Sequence, residues 1–166
     1  MKKIISKLLV LSCVAILSNA YATTIVDMHW VASKGQGKSI GTITATNTPY
    51  GLLLTPNLSG LTPGIHGFHV HVNPSCDDNG MAAGGHLDPA NTGKHLGPYN
   101  NNGHLGDMPP LYFDKDGKAT LPVLAPRLKE SDLKGHALMI HVGGDNYSDN
   151  PPMGGGGARL ACGIVK

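Results

Sequence analysis

Glycine and proline interrupt this chain so often that its apolar residues fall into short alternating runs instead of helical stripes. With 23 glycines and 12 prolines in 166 residues, the pattern argues against a helical protein and for short strands joined by turns. The candidate strands are Thr24–Val31, Ser39–Thr46, Gly51–Leu54, Gly64–Val72, Ala119–Leu124 and Ala137–Val142, with a last short one at Leu160–Val165. Asp114-Lys115-Asp116-Gly117-Lys118 reads as a tight turn between two strands. Strands of this length and spacing predict an all-β fold, an antiparallel sandwich or barrel. Two segments do not read as strands: Asn73–Pro110, rich in Gly, Pro and Asn, and the Gly/Pro-rich Gly143–Gly157. Loops this long in a compact domain are usually functional or disordered, and the three histidines in the first one argue for function.

The first 22 residues stand apart. Lys2, Lys3 and Lys7 precede an apolar run from Leu8 to Leu17, followed by Ser18-Asn19-Ala20-Tyr21-Ala22. This order marks a secretory signal peptide, cleaved after Ala22 or alternatively after Ala20. The apolar run falls short of the roughly 20 residues a spanning helix needs. Val10-Leu11-Ser12-Cys13 loosely resembles a lipoprotein site, leaving lipidation of Cys13 as a rival. Residues 23–166 then form one domain of ordinary size. The full chain carries 13 Lys+Arg and 11 Asp+Glu; without the leader's three lysines the balance is 10 to 11, a net charge of −1. No basic cluster points to nucleic acid, and nothing past Thr23 reads as a membrane span. Cys76 and Cys162 remain, and an isolated pair in an exported protein reads as a disulfide, with two free thiols as the alternative.

The placement of the nine histidines carries most of the functional information. In Gly64-Ile65-His66-Gly67-Phe68-His69-Val70-His71-Val72, strand alternation sets His69 and His71 on one face and Phe68, Val70 and Val72 on the core face. His66 shares the core parity and reads as structural, bonded to backbone. His141 ends an apolar strand in which Leu138, Ile140 and Val142 share one face, so it points away from the core as His69 and His71 do. The long loop adds His86, His95, His104 and Asp107, each histidine preceded by Gly or Lys at a bend. Three nitrogens and one carboxylate oxygen make an ordinary tetrahedral zinc set. His136, of opposite parity to His141, and His29, isolated in the first strand, read as non-ligands.

At these residues the chain resembles copper/zinc superoxide dismutase. The resemblance rests on Gly67-Phe68-His69-Val70-His71, Gly84-Gly85-His86-Leu87-Asp88-Pro89, Lys94-His95-Leu96-Gly97-Pro98, Gly103-His104-Leu105-Gly106-Asp107 and Gly157-Ala158-Arg159-Leu160-Ala161-Cys162-Gly163. The segment His141-Val142-Gly143-Gly144-Asp145-Asn146-Tyr147-Ser148-Asp149 is similar to the bacterial periplasmic branch. The motifs run in family order from about residue 24 to the C-terminus. The family is a known instance of the Greek-key sandwich architecture, so the resemblance implies that fold with two functional loops: the metal-binding loop and a Gly-rich electrostatic loop.

The resemblance also implies roles. Copper would be held by His69, His71, His86 and His141; zinc by His86, His95, His104 and Asp107; and His86 would bridge the two ions. Asp145 would link a copper histidine to a zinc histidine through their free N–H groups, and Cys76–Cys162 would be the family's disulfide. Arg159 would stand over the open copper face and pair with the superoxide anion. The implied reaction is dismutation of superoxide to O2 and H2O2 by a redox-cycling copper, with zinc as structural partner and His86 delivering a proton. Exported to the periplasm, such an enzyme protects that compartment. A copper donor is implied without being specified. Bacterial relatives occur as monomers and as dimers, so a homodimer stays open. Family members commonly place lysines near the channel to steer the anion; between Cys76 and His86 this chain has Asp77 and Asp78 and no lysine, which leaves Lys94 to compensate. A metal-buffering or copper-delivery protein on the same scaffold would need the ligands but not Arg159. A noncatalytic adhesion or structural sandwich would need neither.

Overall fold

The computed structural model describes residues 23–166; the expected leader, its cleavage sites and Cys13 lie outside the described residues. Ten strands follow in chain order: β1 Thr23–Val31, β2 Gln36–Thr48, β3 Gly51–Ser59, β4 Gly64–His66, β5 Phe68–His71, β6 Leu111–Phe113, β7 Lys118–Ala119, β8 Val123–Ala125, β9 Ala137–His141 and β10 Arg159–Ile164. Eight of them form one curled antiparallel sheet in the order β5-β9-β10-β1-β2-β3-β7, with β8 also paired to β3. Strands β4 and β6 make a separate two-stranded ribbon. Strands β3 and β5, separated in sequence only by β4, lie far apart in the large sheet, while β10 returns beside β1, which is the expected Greek-key path. Among the described residues there is no α-helix, only 3-10 turns at Met81–Ala83, Glu130–Leu133 and Pro152–Gly155.

Alternation explains the strands. In β3 the buried positions are Leu52, Leu54, Pro56 and Leu58, every second residue, so one face enters the core with the period of a half-buried strand. Sequence reading ended this strand at Leu54. It continues through Pro56, which falls in the gap between the segments of β3 that pair with β8 and with β7; a missing N–H there interrupts no pairing on that side. Phe68, Phe113, Ile43, Leu52, Leu54 and Leu138 are among the fully buried side chains of the main core. A smaller cluster holds Cys76, Ala83, Ala137, Met139 and Cys162, where the Cys76–Cys162 disulfide closes across 86 residues of sequence separation.

Three expectations need correction. The run Gly64–Val72 is not one strand. It breaks at Gly67, whose N–H donates to Gly143 O at 2.7 Å and whose carbonyl accepts from His141 N at 2.9 Å, so β4 joins the ribbon and β5 the main sheet. Val72 and Val142, assigned to the core by parity, are 42% and 49% exposed; each lies just past its strand's last residue, where alternation no longer sets direction. The run Ala119–Leu124 is two strands, β7 and β8, and β6 precedes them. The Asp114–Lys118 turn is present, linking β6 to β7, with Asp114 N donating to Lys118 O and Gly117 N to Asp114 O.

Candidate metal centre

Strand β5 carries His69 and His71 and β9 ends in His141, its neighbour in the sheet. The long loop is laid along β5: Val70 N donates to Gly106 O, Leu87 N to Val70 O, and Gly106 N to Leu87 O, all between 2.8 and 2.9 Å. A Cβ at Gly106 would stand 2.3 Å from Val70 O, so only glycine lets the loop lie this close. This docking sets His86 opposite His71 and Asp107 opposite His69. The result is one buried cluster, with His69, His71 and His95 fully buried and Asp107, His86, His141 and His104 between 1% and 7% exposed.

Most of the rings are held from outside by one nitrogen. His71 Nδ1 donates to Gly84 O at 2.9 Å and His141 Nδ1 to Gly157 O at 3.1 Å. His69 Nε2 donates to one Asp145 oxygen at 2.6 Å and His95 Nε2 to the other at 2.7 Å. Such outer partners fix the tautomer and aim the other nitrogen's lone pair inward. The inward atoms His69 Nδ1, His86 Nε2, His95 Nδ1 and His104 Nδ1 are buried without a hydrogen-bond partner. An unmet buried polar atom is destabilising by roughly 1–3 kcal/mol, and four together ask for a shared partner.

A metal ion would be such a partner. The inward atoms fall into two groups, His69, His71, His86 and His141, and His86, His95, His104 and Asp107, each lying within 4.8 Å of one another. Ligands about 2.1 Å from one ion in tetrahedral array stand roughly 3.4 Å apart. His71 Nε2 and His141 Nε2 are 3.4 Å apart, and Asp107 Oδ1 lies 3.0, 2.9 and 3.4 Å from the Nδ1 atoms of His86, His95 and His104. The residues therefore fit two ions, a four-nitrogen set suited to copper and an N3O set suited to zinc. His86 belongs to both, with Nδ1 toward Asp107 and Nε2 toward the other set. The triple of His69, His95 and Asp145 is of another kind, because its atoms already bond one another as donors and acceptor.

Burial sets the charge states. It holds His69 down to about 3 and His141 to about 4, and lowers His71 and His86 as well, so these imidazoles stay neutral and keep lone pairs for metal. His95 behaves oppositely: burial opposes its charge, but Asp107 and Asp145 on either side raise it to about 9. Burial likewise works against the two carboxylates, yet their histidine partners hold both well below the usual carboxylate range. In metal-free protein, the unfolded chain takes up protons near pH 6.5 that these four folded histidines refuse. Stability is therefore lost as pH falls from about 6.5 toward 4, while the His95 contribution is lost as pH rises toward 9. The thermal midpoint of chelator-treated protein is expected to peak near neutrality and drop on acidification. A midpoint flat from pH 7 to 4 would contradict this account.

The structure brings the seven expected metal ligands and Asp145 together, and the three histidines set aside lie elsewhere. His66 is buried with Nδ1 2.6 Å from His141 O and Nε2 2.9 Å from Thr62 O; His136 reaches Val72 O and His29 reaches Gly37 O. Sequence reading gave no role to Asp149, whose carboxylate accepts from His95 N at 2.9 Å, or to Gly154, where a Cβ would stand 2.3 Å from Asp145 Oδ1 and 2.5 Å from His95 Nε2. Asp149 falls in the motif His141–Asp149 and Gly154 in the Gly/Pro-rich segment Gly143–Gly157, and no spacing rule connects either to a histidine more than fifty residues earlier. Asp145→Ala is expected to weaken metal retention about 10–100-fold at both sets, because one carboxylate orients a ring of each; competition against a chelator measures it. Loss confined to one metal would contradict that link.

Comparison with known proteins gives matches along most of the chain. The family model described as "Copper/zinc superoxide dismutase (SODC)" matches residues 39–165. "Superoxide dismutase [Cu-Zn] 1" of Salmonella typhimurium is 60% identical over 166 residues, covering 94% of this chain and 92% of that protein. Among solved structures, Cu/Zn superoxide dismutase from Brucella abortus superposes with a TM-score of 0.82 at 50% identity, covering 87% of this chain and all of that one. The monomeric copper, zinc superoxide dismutase from Salmonella enterica gives 0.77 at 55% identity with the same coverage. A family match over most of the chain, close relatives along its length and a fold shared with solved members show that this protein belongs to the copper/zinc superoxide dismutase family.

Proposed function

We propose that this chain dismutes superoxide, converting two superoxide ions and two protons into O2 and H2O2. The observation that carries the reading is the set of buried, partnerless imidazole nitrogens converging in two groups that share His86. Copper is assigned to His69, His71, His86 and His141, and zinc to His86, His95, His104 and Asp107, one ion of each per subunit. When bound, copper supplies one-electron redox chemistry, and zinc, which has none, supplies a fixed charge and a rigid frame.

The protein's own residues do the rest. Arg159 opens β10 opposite His141 in the register, and its guanidinium donates to Gly80 O and Gly84 O. Those carbonyls belong to the stretch that the Cys76–Cys162 disulfide ties to β10, so the cation is anchored from both ends. A guanidinium stays charged even half-buried and has donors left for an anion. His86 Nε2, facing the copper set, is the atom placed to hold a proton and pass it to the peroxide product. Asp145 keeps His69 and His95 aimed inward.

The reading extends to the cell. The leader 1–22 directs export, residues 23–166 form the mature domain, and the enzyme removes superoxide in the periplasm, as the bacterial source of its relatives supports. Among the described residues no helix is long and apolar enough to cross a membrane. The test is superoxide consumption by purified protein loaded with copper and zinc. Arg159→Ala should lower the second-order rate about 10-fold or more with metal content unchanged. Absence of dismutation by the loaded wild type would end the enzymatic reading.

A further inference from the structure

We propose that Arg127 is a positioning residue for the zinc set, clamping the loop that carries His95 and His104 through its backbone carbonyls; the inference rests on the zinc assignment above. Its guanidinium donates to Pro98 O through Nε at 2.9 Å, to Gly103 O through Nη1 at 3.2 Å, to Gly97 O through Nη2 at 3.2 Å, and to the carbonyl of His104. One of these oxygens belongs to a zinc-set residue, and the others lie one to three residues from His95 or His104. Two separate stretches of loop, already joined by His104 N donating to Lys94 O at 2.9 Å, are thus gathered on one cation.

The same backbone is held from below by Asp107, whose Oδ2 accepts from Leu96 N and Gly97 N, each at 3.1 Å. Gly97 therefore gives its N–H to the ligand carboxylate and its carbonyl to Arg127. With Oδ2 occupied, Asp107 Oδ1 is the oxygen turned toward the Nδ1 atoms of His86, His95 and His104. The base of the clamp is stiff. Ala125 ends β8 and pairs with Leu52, Pro126 restricts the next backbone angle, and Leu128 is 1% exposed with its N–H on Ala125 O. A planar fork of five donors can serve four carbonyls at once, which a lysine ammonium with three donors cannot. Arg127 contacts no inward-facing ligand atom, so its effect passes through the loop.

The experiment follows release of zinc and of copper to a chelator from fully loaded wild type, Arg127→Ala and Arg127→Lys, alongside the thermal midpoint of each metal-free protein. In Arg127→Ala zinc release should accelerate about 10-fold or more, the scale on which outer partners act on metal sites, while copper release from the set of His69, His71, His86 and His141 changes less than about twofold. Arg127→Lys should fall between the two. Zinc release at the wild-type rate in either variant would overturn the clamp, and a non-folding alanine variant leaves the lysine variant to decide. Parallel acceleration of both metals with an equal drop in the metal-free midpoint would also overturn it, showing a merely structural residue. A wild type that holds no zinc would overturn the zinc assignment itself and this inference with it.

Discussion

Replacing His86 with alanine is expected to lower the copper and zinc content of the purified protein together and to cut dismutation at least about 100-fold. The reason is geometric. His86 is one ring serving two groups, with Nδ1 3.0 Å from Asp107 Oδ1 on one side and Nε2 buried and partnerless on the other. Its ring also lies against His69, centroids 3.9 Å apart, so truncation opens a gap between the sets as well as removing a ligand from each. Changing an outer partner of a metal ligand weakens a site about 10–100-fold, and losing a shared ligand should exceed that. His95→Ala is the control, because its Nδ1 faces the zinc set alone and its loss should strike zinc first. Metal analysis of both variants after identical loading decides the matter. If copper and zinc occupancy were both unchanged without His86, the bridged two-metal arrangement would have to be abandoned.

The second large effect is on stability. Removing the Cys76–Cys162 link, by reduction or by serine at both positions, frees a loop of 86 residues' separation. The chain-entropy model assigns such a closure about 4–5 kcal/mol as an upper figure. For a domain of this size that corresponds to a thermal midpoint lower by about 10–20 °C. Both sulfurs belong to residues at most 2% exposed, packed with Ala83, Ala137 and Met139, so two serine hydroxyls would also be buried in an apolar cluster. The same change loosens the stretch whose carbonyls hold Arg159, and activity per bound copper should fall along with the midpoint. Calorimetry of oxidised and reduced protein measures the first and a metal-normalised rate the second. A midpoint shift under about 3 °C would mean that the constraint is not felt.

The candidate ligand set is legible in the sequence because local rules govern it. Two-residue alternation places His69 and His71 on one face, β9 repeats the device for His141, and the three-residue step from His104 to Asp107 needs only one turn, closed by Asp107 N on His104 O. Family motifs then supplied the roles of Arg159 and Asp145, which no periodicity reveals. Local rules failed where strands end. Val72 and Val142 kept the parity of the core but left the sheet, and Gly67 broke a run that reads as continuous because its backbone bonds to Gly143 and His141, more than seventy residues away.

Residue types and spacing by themselves determined the class of fold, the candidate ligands and the cysteine pair, since strand period, turn chemistry and metal preference act over a few residues. Only the tertiary structure decided which nitrogen of each ring faces inward and what holds it there. Asp145, Asp149 and Arg127 reach His69, His95, Gly97 and His104 across separations of 23 to 76 residues. Contacts of that range arise when loops are brought together by packing, and no short-range pattern in the chain encodes them.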